Sequence, residues 1–474
     1  MKYLYRLTPG YLRSLVLLLQ GSDYRSHEFW RWWRRTKDFR RVTQRQQVDW
    51  TAKARLILSV LLVSWVVIWI DIALFGWLAV YGQWWFALAA AIGVALLPVL
   101  LAAVGMAAAS WITIAQQPLI TRTNRRTRHQ LEQHRGIKIA IAGSYGKTTM
   151  KEILKTVLAQ GKKVAAAPGN LNTPLGVARF VQSLDGGEDV LLFEFGEYYP
   201  GDVAELAELV QPDYGLITGV NEAHLERFKS IDHTAATIFE LAEAVPSDRL
   251  YVNAESRFVE DRLDKHVGYD STGCGLVSIK DVEVGLMGTD FRLGIRQQHR
   301  SIHTNLLGAH QLGPLAAAAA LASRLDLTFD QIVAGIEAVA PFEHRLQPRP
   351  QQDGSLLIDD SYNGNPDGVR AVIAWLQRLP ERRRIYITPG LVEMGPDRDK
   401  VHEEIGAELA DAVEIVALVR TSATPAIERG LKKAKFKGKI WQFDDMSQCL
   451  AALPAHQLPN DAIVIQNDWP DSYA

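Results

Sequence analysis

Hydrophobic and polar positions divide the chain into three stretches. From Leu56 to Ile120 the only charged side chain is Asp71. Two apolar runs fill this block, LILSVLLVSWVVIWIDIALFGWLAV at 56–80 and WWFALAAAIGVALLPVLLAAVGMAAASWITI at 84–114, with YGQ between them. Each exceeds the roughly 20 apolar residues that cross a bilayer as a helix. A transmembrane helical hairpin over residues 55–116 is therefore expected, with Asp71 a polar residue facing the partner helix rather than a functional intramembrane carboxylate. After the block the pattern shortens. IKIAIAG (137–143), DVLLFE (189–194) and YGLITGV (214–220) are apolar runs of strand length, as buried parallel strands require. They alternate with helically spaced stretches such as KTTMKEILKTVLAQG, which predicts a helix ending on Gly161 as a C-cap. RRIYITPGLVEMG (383–395), EIVALVR (414–420) and DAIVIQ (461–466) repeat the alternation further on. The fold class expected is α/β.

Charge sharpens this division. Residues 1–55 hold 13 Lys or Arg against 4 Asp or Glu, a net of +9, which leaves the remainder near −10. Basic residues flank the apolar hairpin on both sides: Arg31 to Arg55 upstream, and Arg122, Arg125, Arg126 and Arg128 downstream. The excess of Lys and Arg on cytoplasmic flanks predicts both termini inside, at the cytoplasmic membrane. FWRWWRRTKDFRR (29–41) interleaves tryptophan and arginine, the composition of a juxtamembrane segment lying against lipid. With a membrane span following at once, no nucleic acid partner is expected. A cleavable signal peptide does not fit the start, because Arg13 interrupts its short apolar run and no small-residue cleavage site follows. The two cysteines, Cys274 and Cys449, have no metal-like spacing and suit a reducing compartment.

The strand IKIAIAG runs into SYGKTTM and then a helical pattern, the context of a phosphate-binding loop. Gly143 and Gly146, with Ser144 and Tyr145 between them, let backbone N–H groups turn toward phosphate oxygens. Lys147 can reach the terminal phosphates of ATP, and the Thr148 hydroxyl, followed by Thr149, can ligate Mg2+. The general phosphate-loop spacing wants Gly where Ile141 stands, so a shorter variant is present. Glu194 ends the next apolar run and His224 follows the one after, where open α/β sheets place ligand-binding residues.

The short loop resembles that of the Mur ligase family, which includes the folylpolyglutamate synthases. Other motifs follow in the family's order: NLNTPLGV (170–177), LLFEFGEYYPGDVAEL (191–206), PDYGLITGVNEAHLERFKS (212–230), GAHQLGPLAAAAALA (308–322), HRL (344–346) and LLIDDSYNGNPDGVRAVI (356–373). The resemblance implies a central ATP-binding domain at 117–345 and a C-terminal Rossmann-like domain at 346–474. These would follow the basic segment 1–54 and the hairpin. It implies catalytic roles for Lys147, Glu194 and His224, with Thr148, Glu194 and His224 around one Mg2+. Nucleotide contacts would come from residues 143–149, Asn253, Arg345 and Asp360. Substrate contacts would come from Asn170, Asn172, Asn363 and Asn365.

The reaction implied is ATP-dependent amide-bond formation through an acyl phosphate, on a peptidoglycan precursor. It would add D-alanyl-D-alanine to a muramoyl peptide at the cytoplasmic membrane face, near other cell-wall enzymes. The precursor could be UDP-linked or lipid-linked. A polyglutamate-type synthase is the alternative within the family, and a catalytically reduced ATP-binding membrane scaffold the alternative outside it. Three departures matter. The family's N-terminal UDP-binding domain is replaced by the basic segment and hairpin. Ile238 stands where many members carry a carbamoylated Lys. Gln311 and Pro314 replace adenine-pocket asparagines.

Overall fold

In a computed structural model the chain is described at residues 2–40, 42, 48–82, 84–169, 171–221, 228, 230–263, 265–361, 364–392 and 394–466. It folds as two compact units, residues 1–122 and 123–469.

The first unit contains α1 (Pro9–Gly21), α2 (Ser26–Arg35), α3 (Ala52–Val80) and the start of α4 (Trp84–Gln133). Thr51 caps α3 by accepting from Ala54 N at 3.1 Å. Both α3 and α4 are long and apolar enough to cross a membrane by length and composition. Small residues let them approach: a Cβ on Gly93 would lie 3.0 Å from Ile72, and one on Gly105 3.3 Å from Leu61. Asp71 is exposed, not turned toward α4 as expected. The inward face at this level belongs to Ile72, and one residue along a helix turns the side chain by about 100°.

The N-terminal segment lies along the hairpin rather than beside it. Tyr11, Leu12, Leu15 and Leu19 of α1 share a buried core with Ile57, Leu61, Leu97 and Leu101. Three hydrogen bonds fix its position, from Tyr3 Oη to Ala95 O (2.9 Å), Trp65 Nε1 to Leu7 O (3.1 Å) and Tyr11 Oη to Pro98 O (3.1 Å). The apolar run of α1 is thus covered by matching apolar surface.

The second unit is built on two sheets. The first has the order β10-β9-β8-β7-β6-β5-β4-β1-β3-β2. Its parallel part comprises β1 (Ile137–Ala142), β2 (Val164–Ala166), β3 (Val190–Glu194), β4 (Tyr214–Ile217), β5 (Leu250–Asn253) and β6 (Val267–Asp270). Along β1, Ile139 and Ile141 enter one core while Ala140 and Ala142 enter the other. A strand buried on both faces reads as a continuous apolar run, which is why the pattern exposed it. On one face pack α5 (Lys147–Leu158), α9 (Leu312–Arg324) and α10 (Phe329–Glu337). On the other pack α6 (Pro174–Gln182), α7 (Asp202–Val210) and α8 (Ile231–Ile238). α5 stops at Leu158, with Ala159 as its C-cap, so Gly161 is not the C-cap expected. It lies beyond the helix, where a Cβ would crowd Gln331.

Antiparallel strands β7 (Gly273–Cys274), β8 (Val277–Val284), β9 (Thr289–Ile295) and β10 (Gln298–Thr304) extend this sheet. The second sheet has the order β11-β12-β16-β13-β14-β15. It comprises β11 (Gln347–Pro350), β12 (Leu356–Asp360), β13 (Arg384–Thr388), β14 (Ile415–Val419), β15 (Lys439–Phe443) and β16 (Ala462–Gln466). Only β11 runs antiparallel to its neighbour. α11 (Pro366–Leu376), α12 (Arg398–Leu409), α13 (Thr424–Lys433) and α14 (Met446–His456) accompany it. Cys274 and Cys449 are buried in the two sheet regions, and burial pushes their thiols up to about 12 and about 11.

Candidate active site

The site begins where β1 ends. β1 lies between β3 and β4, so the loops leaving these three strands converge at its carboxyl end, the ligand-binding edge of such sheets. Gly143 (φ +142°) and Gly146 (φ +72°) take backbone conformations that favour glycine. A Cβ on Gly143 would run into Thr218 Oγ1. Thr218 hydrogen-bonds the carbonyls of Ala142 and Tyr145, holding the loop against the end of β4. Gly146 leads directly into α5, whose N-terminal N–H groups and dipole favour an anion. Ser144 Oγ is buried with no hydrogen-bond partner among the described residues.

Four charged groups meet at this loop. Lys147 Nζ donates to Gly143 O and to Glu197 Oε1, the latter at 2.7 Å. Thr148 Oγ1 lies 3.2 Å from both carboxylate oxygens of Glu194. Lys151 Nζ, only 1% exposed, sits 3.3 Å from Glu194 Oε2. It also donates to Ala167 O (2.9 Å) and Gly169 O (3.2 Å), tying α5 to the segment after β2. Hydroxyl and carboxylate oxygens are the donors a hard dication accepts alongside phosphate oxygens. The residues present therefore fit Mg2+ bound with a nucleotide.

Beside the loop is a cavity of about 240 Å3. Tyr145, Gly146, Thr149, Asn253, Arg345 and Asp360 all line it, as do His310, Gln311 and Pro314. The second sheet contributes Asp360, at the end of β12, so both sheets build the wall. Asn253 donates to Thr218 O (2.9 Å) and accepts from Glu255 N (3.0 Å). Asp360 accepts from Leu346 N at 3.2 Å. Burial pushes its carboxyl up to about 7, outweighing the opposing pull of Arg345. Burial likewise holds His310 down to about 4. The neutral ring accepts from Gln311 Nε2 at 3.0 Å and so carries its proton on Nδ1.

The remaining expected residues take varied places. Asn172 accepts at its backbone carbonyl from Gly196 N (3.0 Å), and its side-chain amide donates to Tyr198 Oη at 3.4 Å. Asn365 caps α11 by accepting from Gly368 N (3.0 Å) and also accepts from Asn221 Nδ2 (3.0 Å). Asn170, His224 and Asn363 lie outside the described residues. Ile238 is fully buried in the core under the sheet. Glu240 accepts from Gly201 N (2.8 Å) and Ala204 N (2.9 Å) at the start of α7. Sequence reasoning missed Glu197, Lys151, His310 and Asn221. Two of these carried a signal: Glu197 follows Glu194 by three residues in FEFGE, and Lys151 shares a helix face with Lys147.

Comparison with known proteins identifies the architecture. The Mur ligase middle domain matches residues 141–322, and the Mur ligase, glutamate ligase domain matches 344–466. A UDP-N-acetylmuramoyl-tripeptide–D-alanyl-D-alanine ligase of Mycobacterium tuberculosis is 33% identical over 359 residues, 69% of each chain. The Escherichia coli protein of that name is 27% identical over 58% of this chain and 62% of its own. This chain spans 57% of the length of two further mycobacterial relatives. Among solved structures, MurF of Acinetobacter baumannii has a TM-score of 0.65 at 22% identity, covering 74% of this chain and 77% of its own. The MurF ligase of Thermotoga maritima in complex with ADP has a TM-score of 0.65 at 23% identity, covering 74% and 80%. Motifs, site geometry and these matches agree: the chain belongs to the Mur ligase family.

Proposed function

We propose that this ligase uses ATP to join D-alanyl-D-alanine to the carboxyl end of a muramoyl tripeptide, at the cytoplasmic face of a membrane that its apolar hairpin spans. The substrates are those named for the mycobacterial and Escherichia coli relatives. The observation that carries the reading is the pairing of Lys147 with Glu197 and of Thr148 with Glu194 at the end of β1, beside a cavity walled by both sheets. The substrate carboxylate attacks the γ-phosphorus of ATP and ADP leaves. The amine then attacks the acyl carbon, losing a proton, and phosphate leaves. Both reacting groups come from the substrates, so the chain's part is to bind, orient and neutralise charge. Lys147 exchanges its contact with Glu197 for a phosphate oxygen. Loop N–H groups and the Ser144 hydroxyl meet the others. Thr148 and Glu194 would hold Mg2+, which would supply charge neutralisation for the phosphates. Arg345 and Asp360 hold the nucleotide at a phosphate and the ribose.

The membrane part of this reading rests on two apolar helices with basic flanks. It gives the anchored enzyme precursors at raised local concentration. The test has two arms. Detergent-solubilised protein should release phosphate only with ATP, a muramoyl tripeptide and D-alanyl-D-alanine together; release independent of the dipeptide defeats the assignment. In intact cells, a cysteine replacing Gln83 should react with an impermeant maleimide, whereas one replacing Thr123 should not. The reverse pattern would put the ATP site outside.

A further inference from the structure

One face of α2 is basic. His27, Trp30, Arg31, Arg34 and Arg35 recur at helical spacing and together line a cavity of about 610 Å3. The opposite face is fixed. Phe29 is fully buried, and Trp33 Nε1 donates to Tyr11 Oη at 2.7 Å, which itself bonds Pro98 O on α4. The basic face is therefore held outward by a rigid attachment to the apolar hairpin. One carboxylate accompanies it on α2: Glu28 lies 3.2 Å from Arg31 and 3.6 Å from His27. Arg34 makes no ion pair among the described residues. Three guanidinium groups thus line one cavity on a helix that carries a single carboxylate.

Guanidinium forks match phosphate oxygens in pairs, and Trp30 gives the cavity an aromatic wall of the kind found at headgroup depth. The same N-terminal segment exposes Tyr3 (51%) and Leu4 (62%), apolar surface suited to acyl chains. From this geometry we propose that the α2 cavity binds the phosphate or diphosphate headgroup of an anionic lipid. This rests on the membrane reading above and deepens it. It gives the chain a means of recognising a lipid-borne phosphate.

Native mass spectrometry of the full chain in detergent tests this, with equal amounts of phosphatidylglycerol and phosphatidylcholine. The wild type should retain phosphatidylglycerol preferentially. The Arg34→Ala/Arg35→Ala variant should lose that preference by roughly fivefold per arginine, while Arg122→Ala/Arg125→Ala keeps it. Millimolar inorganic diphosphate should leave the lipid bound. Equal retention of both lipids by the wild type, or an unchanged preference in the α2 variant, overturns the proposal. Full displacement by inorganic diphosphate also overturns it, by marking a site for soluble polyanions. Alkaline carbonate extraction separates the two levels. If the wild type leaves the membrane, the membrane reading falls; if it stays without lipid preference, only the headgroup site falls.

Discussion

In the phosphate loop, Lys147 faces Glu197 at 2.7 Å and Lys151 faces Glu194 at 3.3 Å, so each buried charge has an opposite neighbour. In the adjoining cavity, Asp360 and His310 are removed from water without comparable compensation, and burial shifts both toward their neutral forms. The cavity can change its charge near neutrality, at Asp360. The same fold thus sets paired charges at the loop beside a cavity wall whose charge is adjustable.

The sharpest way to break this comparison is at Lys147. Lys147→Ala should lower substrate-dependent phosphate release by about a hundredfold or more, the usual cost of one lost charge-stabilising donor. Folding should persist, because the ammonium contributes charge and not core packing; circular dichroism and a thermal melt check this. An unchanged rate would remove Lys147 from the mechanism. Next in size is a stability effect at Asp360. Its folded pKa of about 7 lies above the ordinary 3.8. The folded state therefore holds the proton more tightly, and stability falls as pH rises from about 4 to 7. Above that window the cost is complete, roughly 4 kcal/mol at most. Asp360→Asn should raise Tm relative to wild type more at pH 8 than at pH 5. A gap that does not grow with pH would mean the carboxyl is not held neutral by burial.

The smallest expected effect is none at all. Ile238 is fully buried and cannot carry a carbamate, and Glu240 is committed to the start of α7. Rigorous removal of CO2 and bicarbonate should leave phosphate release unchanged. Under the same conditions Glu194→Gln, which keeps one hydrogen-bond acceptor near Thr148 but removes the charge, should lower release at least about tenfold, or about 1.4 kcal/mol of barrier. Bicarbonate dependence would show that a carbamoylated lysine exists elsewhere in the site.

The two halves of the site also differ in how far the sequence disclosed them. The loop is local: strand, turn and helix occupy residues 137–158, and both glycines sit where the backbone needs positive φ. Period and residue type suffice to find it. The cavity draws on segments more than two hundred residues apart, so no spacing rule could join Tyr145 to Asp360. It was reached only through motif order, and His310 escaped because a lone histidine beside Gln311 carries no pattern. Among the elements, buried strands such as β1 and β3 stood out as apolar runs. The antiparallel β8–β10 extension did not, because its strands mix charged with apolar residues. Its tight turn at Arg296 and Gln297 also lacks the Asn-Gly or Gly pair that usually announces a hairpin. The packing of the N-terminal helices was not legible for a similar reason. Basic charge suggested a segment beside the membrane block, whereas the apolar face of α1 packs along it.

The buried cysteines have a chemical consequence. With thiols raised to about 12 and about 11, only a fraction on the order of one in ten thousand or fewer is thiolate at neutral pH. Electrophiles and peroxides therefore find almost nothing to attack at sulfur. Alkylation by a thiol-selective reagent at neutral pH should therefore be slow in the folded protein and fast after denaturation.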